Sequence, residues 1–263
     1  MPLKLGKKPP TPDHRDITFK AVTAGLPLPS PPSRFGHGLA FKDWKMLGNG
    51  PDETVASGFE GCGDCVFAGA DHEHMLATKL GTWGKHPASF TGASTVSDYS
   101  AVTGYVVGDD STDQGTEVRE ALKYRRSTGV VDASGVRHKI GAYVSINPTD
   151  WHELMQAVYV FSAVGIGFEF PDSAMEQFND HLPWDVVDGA SIEGGHYVPV
   201  FGRNSISTGG CVSWARRQGF TRDFYQRYND ESWAYVFPEE LRNGKTERGF
   251  TLEQLNAALA QLA

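Results

Sequence analysis

From about Gly165 to Phe237 the chain falls into short runs, GIGFEF, HYVPVFG, GCVSW and WAYVF, each separated from the next by Gly, Asn or Pro. These runs are β-branched or aromatic, the residue types that pack well on a pleated sheet. Upstream the pattern is helical. CVFAGADHEHMLATKLG reads as a helix closed by Gly81, with Cys65, Gly69, His72 and Leu76 on one face. TDQGTEVREALKYRRSTG reads as a second, with Val118, Leu122 and Arg125 at helical spacing and Gly129 as its stop. In PTDWHELMQAVYVFSAVG, Pro148 precedes a capping box of Asp150 and Glu153, and Leu154, Val158 and Phe161 form the apolar stripe. Helices first and strands later predicts an α+β fold with two unlike halves.

Residues 1–46 are rich in Pro and Gly (KKPPTP, LPLPSPPSRFGHG) and cannot hold a long helix or a central strand. They read as an extended arm over the body, or as partly disordered. At the other end, residues 241–263 finish in TLEQLNAALAQLA, a short amphipathic helix with Thr251 and Gln254 as its capping box. The main domain is placed at 47–240, helical to about 140 and β-rich from about 141. With 263 residues, 40% of them hydrophobic, the chain has enough apolar material for one large domain or two lobes.

Net charge is −8 with no basic block, so the footprint of nucleic-acid binding is missing. No stretch approaches the roughly 18 apolar residues of a membrane helix. MPLKLGKKPPTPDHRD lacks the apolar core of a signal peptide. The expected setting is cytoplasmic or virion-associated. The acidic run GDDSTDQG, with Asp109, Asp110 and Asp113, reads as a solvated turn.

Two of the three cysteines lie in GCGDC, at the start of the first helix. A redox pair at a helix N-terminus would have a lowered thiol pKa, but that fold wants a strand leading in, and NGPDETVASGFEG is polar and turn-forming. Cys62, Cys65, His72 and His74 are zinc-ligand types, yet no second regularly spaced pair completes them, and no metal or cofactor is assigned. A nucleophile demands a histidine presented from far away in sequence. His196 in GGHYVPVFG fits, with Gly194 and Gly195 leaving room around the ring. His14, His37, His86, His138, His152 and His181 lie in polar or loop contexts and are expected to be solvated. Asp64 reads as a helix N-cap.

CGDC before a helix, DQGTEVREALKYRRSTGV, GGHYVPVFG with its histidine 131 residues after Cys65, and VSWARR together resemble the papain-like cysteine peptidases. The order LGN…GDC…TDQGT…GGHYVPV…SW…YNDESWAYV is similar to a set of phage and bacterial papain-like proteins. The resemblance spans roughly residues 45–237 and implies a two-lobed fold, Cys65 on the helical lobe facing His196 on the β-rich lobe. It implies thiolate attack on a peptide or amide carbonyl, with His196 protonating the leaving group. Implied partners are a peptide or protein substrate, with virion proteins or bacterial cell wall as the phage-type settings. Free thiols are expected, since Cys62 has only Cys211 left to pair with.

The chain departs from the family in two places. The oxyanion Gln is replaced by Phe59, which leaves Asn49 of LGN as the candidate donor if a longer loop folds out and returns it. The orienting Asn is replaced by Val212. Asn204 or a backbone carbonyl is then the candidate orienter, and Trp214 the candidate shield. These departures carry the alternative reading, a catalytically weak or inactive papain-fold virion component or binding module.

Overall fold

The computed structural model describes residues 3–37, 44–82, 85–241, 243 and 245. The proposed C-terminal helix, with Thr251 and Gln254, lies outside the described residues. An antiparallel sheet is the spine. Its strands β4 (Ala142–Ile146), β9 (Asn229–Val236), β5 (Val164–Pro171), β6 (Ile192–Ser205), β7 (Thr208–Ser213) and β8 (Arg216–Thr221) lie in that order, with β1 (Phe35–Gly36) added to β6. A small hairpin of β2 (Val130–Val131) and β3 (Arg137–His138) stands apart from it.

The helices are α1 (Phe19–Val22), α2 (Cys65–Gly81), α3 (Gly92–Thr103), α4 (Val118–Ser127), α5 (Trp151–Phe161), α6 (Asp172–Asn179) and α7 (Arg222–Tyr228). The α+β class is as the sequence predicts. The three expected helices are α2, α4 and α5, and the four expected strands are β5, β6, β7 and β9. The α5 capping box is only half formed. Asp150 accepts from the Glu153 N–H at 3.0 Å, but Glu153 accepts from Asn147 at 3.1 Å instead of reaching back to the cap.

Strand alternation distributes the side chains of β6 between two cores. Tyr197 and Phe201 join α2, α3 and α4 in one, which also takes Val212, Trp233 and Tyr235. Val198 and Val200 join α5, α6, α7, Phe168, Phe170, Trp184 and Trp214 in the other. The two cores therefore share strands, and the sheet is the wall between them.

The approach of α2 to β6 is close. A Cβ on Gly69 would stand 2.6 Å from Tyr197 Cε1. Glu73, one turn further along α2, accepts from the Tyr197 hydroxyl at 2.9 Å and from Arg125 of α4 at 2.7 Å. Glu73 and Arg125 are essentially buried, and the Tyr197 hydroxyl also meets that of Tyr235 at 2.5 Å. Arg125, expected on the inward stripe of its helix, lies there with its charge matched. A buried ion pair stabilises little as a whole, but removing one member strands the other without water. Glu73→Ala is expected to lower unfolding free energy by about 3–5 kcal/mol in urea titration, and Glu73→Gln by less, because the amide oxygen still accepts from Arg125.

Candidate active site

Cys65 is the first residue of α2, where unpaired N–H groups collect. Asp64 occupies the cap position, yet its carboxyl makes no capping bond. Both its oxygens are buried without partners, and burial raises its pKa well above the carboxylate range. The capping role read from the sequence is thus positional only. What holds the turn is Asp113, whose carboxylate accepts from the Gly63 N–H at 2.9 Å and from the Tyr99 hydroxyl at 2.5 Å. Asp113, taken for a member of a solvated acidic turn, is a positioning group for the segment leading into Cys65.

The loop between LGN and Cys65 does fold out and return. Asp52 N–H donates to Phe59 O at 3.3 Å, and Cys62 N–H donates to Gly48 O at 2.9 Å. That closure sets Asn49, which is buried, beside the Cys62–Asp64 turn. Cys62, Cys65 and Cys211 are all free thiols and all buried.

His196 lies within β6 and points into the second core, away from the face that carries Tyr197. Its ring stacks on Trp214 with centroids 4.3 Å apart and planes 12° from parallel, and Phe168, Phe170 and Trp184 meet it edge-on. Its Nε2 is 2.8 Å from the Ser213 hydroxyl. Its Nδ1 is buried with no hydrogen-bond partner. Burial alone pulls this imidazole down to about 3, so it is neutral.

Asn204 is not the orienter. It is eight residues along the strand, roughly 26 Å at strand rise, and its amide donates to Gly209 O at 3.4 Å. The side chain beside the ring is Ser213, because residues alternate along β7: Val212 faces the helical core, so its neighbour faces His196. The signal was present in VSW, as the residue between Val212 and Trp214. Trp214 stacks on one face of the ring. Both it and Ala215 adopt positive φ, 44° and 62°, in the two-residue turn joining β7 to β8. Such a turn favours Asn-Gly, and a Trp held there carries strain of about 1–3 kcal/mol.

The Cys65 side chain packs in the helical core and the His196 ring in the other, and among the described residues no hydrogen bond joins the two side chains. The Cys65 sulfur faces the N–H of Tyr197, the residue after His196, and the N–H of Gly6 from the N-terminal arm. Burial pushes this thiol up to about 12, the two N–H groups offsetting only part of that cost. Both shifts favour the neutral thiol and the neutral imidazole.

Residues 4–7 of the arm run between the Asn49–Thr116 side and the Gly195–Trp214 side of the site. Lys4 N–H donates to Asn49 O at 3.0 Å, Gly6 and Lys7 N–H donate to Gly195 O at 3.1 and 3.0 Å, and Thr116 N–H donates to Gly6 O at 2.7 Å. Trp214 Nε1 donates to Lys4 O at 3.3 Å. Lys7, its side chain only 1% exposed, reaches Asp230 at 2.8 Å and Glu231 at 3.3 Å. Residues 4–7 thus bridge the two sides of the site. A Cβ on Gly6 would collide with the carbonyl of Gly63, and one on Gly195 with that of Lys7. The room at Gly194 and Gly195, read as space around the histidine, is taken by Leu5 and Lys7. A cavity of about 670 Å³ lies elsewhere, along Phe35, Arg203 and Arg216, and neither Cys65 nor His196 lines it.

No protein-family model and no curated protein matches the chain in sequence. Solved structures do. Xylellain, a cysteine protease from Xylella fastidiosa, superposes with TM-score 0.65 at 16% identity, covering 92% of this chain and 99% of that one. A procathepsin B from Trypanosoma congolense gives 0.55 at 11%, covering 89% and 86%. A Carica candamarcensis cysteine protease in complex with E-64 gives 0.50 at 12%, covering 78% and 99%. The fold is that of the papain-like cysteine proteases. On this papain-like framework no helix among the described residues is long and apolar enough to cross a membrane.

The raised Cys65 thiol has a measurable consequence. With its pKa far above the usual 8.5, the thiolate fraction rises about tenfold per pH unit through the neutral and mildly alkaline range. Alkylation of Cys65 in the full chain by iodoacetamide, followed by peptide mass spectrometry, should climb with pH and show no plateau below about pH 10. A plateau below pH 9 would show an ordinary or activated thiol.

Proposed function

We propose that this papain-like chain is a thiol hydrolase of peptide or amide bonds, held latent by its own N-terminal residues. The observation that carries the reading is the presentation of His196. One ring nitrogen is fixed by Ser213, one face is covered by Trp214, and the other nitrogen is buried without a partner, one residue from the N–H facing Cys65. With the arm withdrawn, water and substrate enter, and the desolvation that keeps both groups neutral is relieved.

Nδ1 of His196 then takes the proton of Cys65, and the sulfur attacks the carbonyl carbon. The N–H of Cys65 and the side chain of Asn49 stabilise the oxyanion. The imidazolium returns its proton to the leaving nitrogen, and water releases the acyl group from sulfur. The arm supports a peptide substrate, because the cleft already holds an extended backbone through Gly195, Asn49 and Trp214. Virion polypeptides and the amide crosslinks of bacterial cell wall fall within this chemistry.

The experiment compares the full chain with one lacking residues 1–8, using an epoxide thiol probe and a fluorogenic peptide library. Removing the arm should speed labelling of Cys65 at least about tenfold over Cys62 and Cys211 and unmask hydrolysis that Cys65→Ala abolishes. Gly6→Ala, which displaces the arm by collision without shortening the chain, should move in the same direction. Ser213→Ala in the shortened chain should lower kcat about tenfold, the worth of one neutral hydrogen bond of ~1.4 kcal/mol. A folded shortened chain whose three thiols react equally slowly would leave the inactive scaffold as the correct reading.

A further inference from the structure

Three residues outside the cleft converge from separate elements: His74 from the middle of α2, His138 from the end of β3, and Glu239 from the turn Pro238–Glu240 after β9. One ligand atom from each lies within 4.8 Å of the other two. His138, which its sequence context marks as solvated, is buried. His74 is 0% exposed, and neither of its ring nitrogens has a hydrogen-bond partner. Its Nδ1 is 3.7 Å from Glu239 Oε2, too far to bond. A buried imidazole with two unpaired nitrogens carries a desolvation cost that the protein ligands around it do not offset.

His138 shows the complementary arrangement. Its Nδ1 is hydrogen-bonded to Glu239 Oε1 at 2.8 Å, while its Nε2 lies 3.3 Å from Asp132 Oδ2 without making a hydrogen bond. A metal ion taking Nδ1 in place of the contact to Glu239 would leave Nε2–H pointing toward Asp132, the arrangement of carboxylate–histidine–metal triads. We propose that His74, His138 and Glu239 form a binding site for a divalent transition-metal ion, with Asp132 orienting His138.

Two imidazoles and one carboxylate are the ligand set of Zn²⁺. A tetrahedral ion with bonds of about 2.1 Å holds its ligand atoms about 3.4 Å apart, so the three side chains need only small adjustments to close on it. The Glu239 side chain, 34% exposed, supplies the entry path and leaves the fourth position to water. Phe237 and Phe90 pack against the two rings and dry the inner side. Charge balances: Glu239 and Asp132 match the dication, while Arg125 is already neutralised by Glu73. His74 is nine residues beyond Cys65, about 13 Å along the helix, so the ion acts on the structure and not on the bond being cleaved. It fastens the β2–β3 hairpin and the segment after β9 to the helix that carries Cys65.

The test uses the full chain carrying Cys65→Ser, so that the cleft thiol does not compete for metal. After stripping with chelator, dialysis against ZnCl₂ and gel filtration, one equivalent of zinc should remain, and saturating zinc should raise Tm by at least about 3 °C. Cobalt should give d–d absorption with no thiolate charge-transfer band. Glu239→Gln keeps the contact to His138 and sits at a partly exposed position, so it should fold while losing the retained equivalent. Asp132→Asn should weaken zinc binding about 10- to 100-fold. If the parent retains no zinc, or if retention and the Tm rise survive both Glu239→Gln and His138→Gln, the site is refuted.

Discussion

The close contact between α2 and β6 governs this molecule. Gly69 lets the Tyr197 ring lie against the helix, and Glu73 then ties the Tyr197 hydroxyl to Arg125 in a buried network. Because strand residues alternate, fixing Tyr197 against the helix forces His196 to the opposite face, under Trp214 and beside Ser213. Fixing α2 along that strand also brings its first residue, Cys65, to the N–H of Tyr197. One packing decision therefore sets the helix, the imidazole and the sulfur in a common frame. The network that enforces it lies away from the cleft, so the frame does not depend on what the cleft contains.

Within that frame, desolvation decides the protonation state. Burial raises the Cys65 thiol and depresses the His196 imidazole, and the two shifts reinforce each other against ion-pair formation. Two groups of the arm act against the rise of the thiol: the Gly6 N–H faces the sulfur, and the Lys7 ammonium lowers it through charge.

The parts of the fold legible in the sequence are those whose residues satisfy local and tertiary demands together. The α2 helix was readable from its apolar run and Gly81, and β6 from HYVPVFG between glycines. The α3 helix was not, since GASTVSDYSAVT is dominated by small and hydroxylated residues with weak helix preference. Its start signal was the Thr91–Ser94 reciprocal cap, in which Ser stands where Glu or Gln is usual. The β8 strand, RRQGFT, reads as polar because its exposed face carries charge while Gln218 and Phe220 turn inward. At the candidate site, Cys65 and His196 are picked out by residue type and spacing. Ser213 is not legible from residue type, because position on the pleat determines what reaches His196. Asp113 and the arm residues were missed for a different reason: their roles are long-range contacts that leave no periodic trace.

The arm is held by a bonding pattern suited to release. Its contacts with Asn49, Gly195 and Thr116 are backbone hydrogen bonds, each worth only about 0.5–1.5 kcal/mol net because water replaces them on departure. Two glycine close approaches give it shape specificity, and Leu3 and Leu5 add apolar packing against the second core. The exception is Lys7, whose ammonium is buried against Asp230 and Glu231. A charge in that position is stable only while both carboxylates face it, and once the arm lifts, lysine and carboxylates all regain water. The ion pair thus fixes where the arm sits more than how tightly it is held. On the proposed reading, a peptide substrate would have to displace a segment that is registered by these backbone groups and anchored by Lys7 and by the packing of Leu3 and Leu5.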